Sequence, residues 1–209
     1  MSRQLTYSVV ADGGTDRILV PIIQWAIHRL DPEVEILEPL FTVRSGSVRD
    51  FLHGYDPGVM LIFVHRDAER RTLKERLGEF ERTTRTDIVP LIPVRMSEAW
   101  LLFDGMAIAQ AAGRPGTSVP TPKLADVERM SDPKSRLDEL LFVAAGSPSG
   151  RRGRNFKRSI VERRVNVASY IADYSPLEDL MAFRCFQSHL ERNYPYGPLS
   201  QIVSRDPVR

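Results

Sequence analysis

Cysteine is almost absent from the sequence, and its scarcity excludes two kinds of covalent or metal support. Cys185 is the only cysteine, so the chain can form neither an internal disulfide nor a cysteine-based zinc cluster. Residues 182–186 around it are apolar and helical in pattern, a setting in which a free cysteine is usually a small core residue. The 209 residues are enough to bury a substantial apolar core without such support.

Long apolar runs and a strong net charge are also missing. No apolar run approaches the length of a membrane span, and residues 2–6 lead into a predicted strand without the pattern of a signal peptide. We therefore expect a cytoplasmic protein that does not contact a membrane. The net charge is only +2, so composition alone does not indicate a nucleic-acid-binding protein, and the local distribution of charge matters more.

The order of the predicted elements favours an α/β fold with a largely parallel central sheet flanked by helices. The run at residues 61–64 is apolar throughout, which is typical of a strand buried on both faces of a parallel sheet. Pro90 and Pro93 place the fourth strand near an edge of the sheet or in an irregular stretch. Strands are predicted at residues 5–11, 34–43 (interrupted by Pro39), 61–64 and 87–94, and helices after residue 15, at 48–53 and at 70–84.

The second half of the chain is predicted to be helical. The glycine- and proline-rich residues 113–122 mark the junction between an α/β core of residues 1–112 and a helical extension of residues 113–209. We expect the two parts to pack as one globular unit. Helices are predicted at 135–145, 156–172 and 177–192, with a glycine-rich loop at 146–153.

Polar residues follow the central strand at the end where ligands bind in parallel α/β sheets. His65, Asp67 and Glu69 alternate along this tip with Arg66 between the first two, so the three side chains could converge on one cation. An alternative is that Asp67 and Glu69 cap the next helix, where negative charge meets the helix dipole.

The first predicted strand ends in a turn formed by Asp12, Gly13 and Gly14. Two glycines allow close backbone approach, which suits an anion or metal site but is also used in purely structural turns. Thr15 or Asp16 would cap the helix that follows, and for Asp16 we favour this role over metal ligation.

Glu98 lies next to the apolar residues 99–103, in a helix that Ser97 is predicted to cap. A carboxylate beside buried surface is paired, metal-bound or protonated. Asp104, at the end of this run, is interpreted as a cap or a surface group.

A cluster of basic residues occupies the predicted loop and the helix that it opens. Clustered guanidinium groups repel one another and match phosphate oxygens, so they indicate a phosphate or nucleic-acid ligand. The alternative is a solvated loop, or arginines that pair with acidic tips in the same or another subunit, and a homo-oligomer stays open. The cluster consists of Arg151, Arg152, Arg154, Lys157 and Arg158, followed by Arg163 and Arg164.

The three acidic strand ends, in this order, resemble the Toprim fold of topoisomerases, primases and nucleases of the overcoming-lysogenisation-defect type. More narrowly, residues 10–16, 63–69 and 94–104 look like the Toprim-like family catalogued as domain of unknown function 4276, with Glu-Ala-Trp-Leu-Leu at 98–102 the most specific segment. The resemblance covers residues 5–112 well and the helical remainder more loosely. It implies a Toprim-like core.

The resemblance also implies a function, a metal-dependent phosphodiester hydrolase acting on DNA or RNA. Asp12, Asp67, Glu69 and Glu98 would hold Mg²⁺ or Mn²⁺ and serve catalysis, with Gly13, Gly14, Asp16, His65 and Arg66 as neighbours of the site. Proteins of this kind are often partners of ATPases in phage defence, so an ATPase partner is implied as well.

Two positions depart from the family pattern and support a second hypothesis. Asp12 stands where the Toprim pattern has Glu, and His65 stands where the first Asp of a pair would be, unless Asp67 and Glu69 are that pair. Magnesium prefers carboxylate and water oxygens, so a histidine here weakens the magnesium assignment. The alternative is a catalytically impaired Toprim-like subunit that binds nucleic acid or a partner protein, and a third hypothesis is an enzyme acting on small nucleotides.

Overall fold

A computed structural model describes residues 3–81 and 85–197 of the chain. The strands in these residues are β1 (Gln4–Leu5), β2 (Tyr7–Ala11), β3 (Glu35–Ile36), β4 (Leu40–Val43), β5 (Leu61–His65) and β6 (Ile88–Leu91). The helices are α1 (Leu19–Leu30), α2 (Val48–Gly54), α3 (Leu73–Leu77), α4 (Gly105–Ala111), α5 (Leu124–Val127), α6 (Pro133–Ala144), α7 (Gly150–Arg158), α8 (Ile160–Tyr170) and α9 (Met181–Asn193). Three 3₁₀ helices accompany them at Gly14–Ile18, Ser97–Leu101 and Ser175–Asp179.

The central sheet has four parallel strands in the order β4-β2-β5-β6, and β1 pairs with β3 in a separate parallel ladder. All five residues of β2 and of β5 are buried, as expected for central strands covered on both faces. The predicted α/β class with parallel strands flanked by helices is confirmed. The carboxyl ends of β2, β4 and β5 lie side by side, so the residues that follow them share one edge of the sheet.

The two faces of the sheet are covered by different layers. Alternate residues of a strand point to opposite faces, so Val9 and Phe63 join one apolar cluster while Val10 and Val64 join another. The larger cluster contains α1 and the helices after residue 104, and the smaller one contains α2 and Phe80. The larger cluster draws on residues from both sides of the loop at 113–122, and the predicted division at residue 112 stays a prediction.

β6 lies at an edge of the four-stranded sheet, as predicted from its prolines. Pro90 has no N–H to donate, and an edge strand needs a partner on one side only. The strand is shorter than predicted, because residues 92–96 continue as a non-strand segment whose carbonyls still accept hydrogen bonds. The N–H groups of Ala68 and Glu69 donate to the carbonyls of Pro93 and Arg95 at 3.0 and 3.1 Å.

The helix predicted at 70–84 is corrected to the short α3. Thr72 caps it, since its Oγ1 accepts from the N–H of Glu75 and the Glu75 carboxylate accepts from the N–H of Thr72. The helix ends before Gly78, and a glycine inside a helix costs about 1 kcal/mol relative to alanine. Residues 82–84 lie outside the described residues.

The predicted glycine-rich loop at 146–153 is also corrected, because its second half is the first turn of α7. Gly153 allows α7 to pack closely against the backbone of Pro148, because a Cβ at position 153 would lie 2.6 Å from the carbonyl oxygen of Pro148. The predicted helix at 156–172 therefore divides at Ser159 into α7 and α8. The basic cluster lies on a helix rather than on a flexible loop.

Ser97 does not cap a helix, contrary to the prediction. It is buried inside the 3₁₀ helix Ser97–Leu101, and Met96 occupies the capping position without a side-chain hydrogen bond. Asp104 provides a cap instead, since its Oδ1 accepts from the N–H groups of Met106 and Ala107 at the start of α4. The described residues contain no helix long and apolar enough to cross a membrane.

Candidate functional site

The end of β2 presents Asp12 to two arginines from neighbouring strand ends. Arg44, the first residue after β4, donates from Nη2 to Asp12 Oδ1. Arg66, the first residue after β5, donates from Nη1 to Asp12 Oδ2 at 2.9 Å. Both carboxylate oxygens of Asp12 therefore accept from guanidinium groups, a consequence of the parallel arrangement of these strands.

Gly13 and Gly14 form an open turn after Asp12. Neither residue has a positive φ, and a Cβ on Gly13 would come no closer than 3.9 Å to its neighbours, while one on Gly14 would meet nothing within 4 Å. Close backbone packing does not require glycine at either position. Gly13, rather than Thr15 or Asp16 as predicted, occupies the capping position of the 3₁₀ helix Gly14–Ile18. Asp16 lies inside this helix, and its Oδ2 accepts from the N–H of Gly13 at 2.8 Å.

His65 lies at the end of β5 between two carboxylates. Its Nδ1 is 3.1 Å from Asp16 Oδ2, and its Nε2 is 3.0 Å from Asp67 Oδ1. Burial alone would lower the pKa of His65, but the hydrogen bonds and charges of Asp16 and Asp67 outweigh it and raise the pKa to about 10. The imidazole is therefore a buried cation that donates from both nitrogens.

The contact with His65 lowers the pKa of Asp16, whereas it raises the pKa of His65. Burial alone would raise the pKa of Asp16, but the hydrogen bond and charge of His65, with the N–H of Gly13, hold the pKa below its ordinary value. The unit formed by Asp16, His65 and Asp67 is an imidazolium between two carboxylates. It links the turn after β2 to the tip of β5.

Glu69 does not join His65 and Asp67 at one point. Its backbone has a φ of 52°, so the extended geometry of the predicted tip ends before it. Its side chain is 68 % exposed, and Oε2 is 3.2 Å from Nη2 of Arg76 in α3. The alternation expected from the sequence holds for His65 and Asp67 only.

Glu98 is buried in the 3₁₀ helix that follows β6. Desolvation raises the pKa of Glu98, and the charge of Asp67 acts in the same direction, whereas Lys134 and Arg164 act against it. The closest cation is Lys134, whose Nζ is 3.9 Å from Glu98 Oε1. The sequence left Glu98 as paired, metal-bound or protonated. Of these three states, its surroundings favour the carboxyl group with increased affinity for a proton.

The four predicted metal ligands each meet a cation of the protein itself. Asp12 contacts arginines, Asp67 contacts protonated His65, Glu69 contacts Arg76 and Glu98 is near Lys134. In the part of the chain that the structure describes, no group of three His, Cys, Asp or Glu side chains has the geometry to hold a metal ion. The metal site therefore stays a prediction.

The basic cluster divides into two kinds of residue. Gly153 and Phe156 are the buried residues of α7, and the five predicted phosphate ligands on the same helix are exposed. None of the five has an ion-pair or hydrogen-bond partner among the described residues: Arg151, Arg152, Arg154, Lys157 and Arg158.

Arg163 and Arg164, on α8, are structural instead. Arg163 donates to the carbonyl of Ala111 at 2.6 Å, and Arg164 binds the Asp138 carboxylate with two hydrogen bonds of 2.7 and 2.5 Å. α8 packs against the 3₁₀ helices that carry Asp16 and Glu98. α7, with its exposed cations, thus packs against α8, the helix that contacts the segments carrying Asp16 and Glu98.

A second basic feature was not expected from the sequence. A cavity of about 550 Å³, which we call the arginine cavity, opens between α2 and α3 beside the ends of β4 and β5. Its charged lining consists of Arg44, Arg49, Arg66, Arg71, Arg76 and Glu79. These residues are spread over 36 positions, and the sequence signal was that Arg44 directly follows the strand predicted at 34–43 and Arg66 lies two residues after the one predicted at 61–64.

Comparisons with known proteins give no match of any kind: no family model, no curated protein and no solved structure matches this chain. The resemblance to the Toprim fold and to its uncharacterised relatives therefore stays a prediction.

Proposed function

We propose that this chain is a nucleic-acid-binding or regulatory subunit, in which α7 contacts the phosphate backbone. The observation that carries this proposal is a set of five exposed cations on a nine-residue helix, none of which pairs with a residue in 3–81 or 85–197. Other arginines of the described residues, such as Arg76 and Arg164, are held by carboxylates. Cations kept free of internal partners repel each other, and a polyanion relieves that repulsion.

The geometry of α7 suits a phosphate backbone better than a small ligand. The basic side chains lie on an open helix surface, and only Gly153 and Phe156 are buried beneath them. Contacts of this kind position a protein on nucleic acid without reading its sequence. We therefore expect binding to DNA or RNA with little sequence preference and strong dependence on salt.

The strand-end residues support a binding role over a hydrolytic one. Three of the four carboxylates predicted to hold a metal, Asp12, Asp67 and Glu69, pair with arginines or with His65, and these contacts occupy both oxygens of Asp12. A cluster stabilised by its own cations needs no divalent ion to relieve charge repulsion. This arrangement agrees with the departures at Asp12 and His65 from the Toprim pattern.

The test is fluorescence anisotropy with labelled double-stranded DNA, single-stranded DNA and RNA. We expect the triple variant Arg151→Ala, Arg154→Ala, Arg158→Ala to bind at least about tenfold more weakly, since three phosphate contacts are removed. A matched control replaces three exposed arginines outside α7, with Arg70→Ala, Arg129→Ala and Arg192→Ala. Equal loss in both triple variants, or no binding by the wild-type protein, would refute the proposal.

A second candidate function is the metal-dependent phosphodiester hydrolase that the Toprim resemblance implies. The observation in its favour is that Asp67 and Glu98 are close enough for the charge of Asp67 to raise the pKa of Glu98. Two carboxylates from neighbouring strand ends are the part of the predicted set that could accept one Mg²⁺ or Mn²⁺, which would activate water when bound. An ATPase partner and a role in phage defence belong to this candidate and rest on the resemblance alone.

The hydrolase candidate is tested by calorimetric titration with Mg²⁺ and Mn²⁺ and by incubation of labelled DNA and RNA with each ion. Cleavage that is lost in Asp67→Asn but retained in Asp126→Asn, an exposed residue of α5, would favour the hydrolase over the binding subunit. Intact nucleic acid together with no heat of metal binding would leave the binding subunit as the supported function.

A further inference from the structure

The arginine cavity is distinct from the surface of α7. It is lined by residues of α2 and α3 and by the first residues after β4 and β5. α2 belongs to the apolar cluster on one face of the sheet, whereas Phe156 of α7 belongs to the cluster on the other face. A ligand in the cavity would therefore lie on a different side of the sheet from the exposed cations of α7.

The cavity has an excess of positive charge that its own carboxylates do not remove. Glu79 receives contacts from Arg66, Arg71 and Arg76, with the Arg76 Nη1 at 2.7 Å and the Arg66 Nε at 3.0 Å. Asp12 and Glu69 contact arginines of the cavity from its margin. Three carboxylates thus face five guanidinium groups, and the nearby Glu75 is exposed and accepts from Thr72 instead.

Several donors in the cavity wall are left without partners. The Nε atoms of Arg44 and Arg76 are buried and have no hydrogen-bond partner in the part of the chain that the structure describes, although each residue pairs through its terminal nitrogens. Arg76 is only 4 % exposed, so its guanidinium is held in place rather than free in solvent. Arg49 is exposed and has no partner among the described residues. Buried donors without acceptors are rare in proteins and point to a missing acceptor.

We propose that the arginine cavity binds a phosphomonoester dianion, as carried by a nucleotide or by the terminal phosphate of a polynucleotide. Guanidinium groups bind phosphate oxygens through paired hydrogen bonds, and a dianion matches the excess of two cations. The volume of about 550 Å³ is within the range of small-molecule sites and exceeds what one phosphate needs. The described lining contains no aromatic side chain for stacking on a base, so we expect recognition of the phosphate rather than of the base.

The direct test is isothermal titration calorimetry in a phosphate-free buffer. The probes are inorganic phosphate, adenosine 5′-monophosphate, adenosine, and one short oligonucleotide with either a 5′-phosphate or a 5′-hydroxyl group. We expect the phosphorylated probes to bind, while adenosine shows no binding and the 5′-hydroxyl oligonucleotide binds more weakly than its phosphorylated form. Tighter binding of the mononucleotide assigns a small-molecule ligand, and tighter binding of the phosphorylated oligonucleotide assigns a polynucleotide end.

Two exposed arginines of the cavity allow the site to be tested without disturbing the core. Arg49→Ala removes a side chain that contacts no partner within the described ranges, and Arg71→Ala removes one that is 61 % exposed, at 3.6 Å from Glu79. We expect each variant to weaken phosphate binding by about fivefold or more, since each removes a charge-assisted contact. Arg70→Ala is the matched control, because Arg70 is adjacent and exposed but does not line the cavity.

The proposal is overturned if no phosphorylated probe binds, or if Arg49→Ala and Arg71→Ala both bind phosphate as the wild type does. It is also overturned if Arg70→Ala loses binding to the same extent, since that result would show a general effect of surface charge. The inference does not depend on the function proposed for α7. The triple α7 variant should still bind inorganic phosphate, so failure of one proposal can be told apart from failure of the other.

Discussion

The Nδ1 atom of His65 lies 3.1 Å from Oδ2 of Asp16, a residue 49 positions earlier in the chain. The contact joins the tip of the central strand to the turn after β2, and Asp67 completes it from the other side of the imidazole. Because the three groups are buried or half-buried, their charge states depend on one another and on the fold. We therefore expect the free energy of unfolding to change when the charge of any of these three groups changes.

His65 should give the protein a stability that declines in alkaline solution. Its pKa is about 10 in the folded state against an ordinary value of 6.5, so the folded protein holds a proton that the unfolded chain releases. The contribution is complete below about pH 6.5 and is lost as the pH rises towards 10, with a slope of at most about 1.4 kcal/mol per pH unit. Urea unfolding of the wild type and of His65→Gln between these pH values measures it.

The control for that series is His53→Gln, because His53 is an exposed histidine at the end of α2. We expect this variant to keep the slope of the wild type and His65→Gln to lose most of it. Equal slopes in all three proteins would show that the imidazolium of His65 does not stabilise the fold.

Glu98→Gln should raise stability near pH 8. Desolvation raises the pKa of Glu98, so the carboxylate form is disfavoured in the folded state, and its cost grows as the pH rises through the unfolded value of 4.5. The neutral amide avoids this cost, and we expect a gain in stability at pH 8 that shrinks towards pH 4. Thermal unfolding at both pH values measures the difference, and a loss of stability at pH 8 would contradict the expected sign.

Arg164→Ala should destabilise the helical part more than the removal of an exposed arginine. Arg164 is 8 % exposed and binds both oxygens of Asp138, so its loss leaves a half-buried carboxylate without its partner. We expect a cost of about 2–3 kcal/mol in the free energy of unfolding. Arg136→Ala, which removes an i,i+3 pair with Glu139 on the surface of α6, should cost less than about 1 kcal/mol.

The salt dependence of DNA binding should indicate how many phosphate contacts α7 makes. Each contact to double-stranded DNA adds roughly 0.9 to the slope of log affinity against log salt concentration. Arg154→Ala should therefore lower the slope by about that amount, whereas Glu162→Gln, on α8, should leave the slope near that of the wild type. Anisotropy titrations at several salt concentrations give both slopes, and an unchanged slope in Arg154→Ala would place this residue outside the interface.

Much of the fold could be predicted from the sequence because its signals are local. The apolar run of β5 and the prolines of β6 indicated a central and an edge strand, and both positions are confirmed. The cap at Asp104 followed from residue type, since its oxygen accepts from N–H groups two and three residues away. Helix ends were less predictable: α3 is shorter than its pattern, and α7 begins inside a predicted loop.

The candidate site was predicted only in part. His65 and Asp67 do meet, because alternate residues of a strand tip share a side, but Glu69 turns away at a positive φ that its residue type does not indicate. The partner of Asp12 could not be read from the sequence, since Arg44 and Arg66 reach it from two other strands. The arginine cavity was missed for the same reason.

By itself, the sequence determined the α/β class, the burial of the central strand and the concentration of positive charge on residues 151–158. These properties depend on the periodicity and type of neighbouring residues. Only the tertiary structure decided which charges are paired and which are free: the carboxylates at the strand ends meet arginines and His65, while the cations of α7 meet none of the described residues. Charge pairing depends on distances between segments far apart in the chain, and those distances exist only after the strands have assembled in their order.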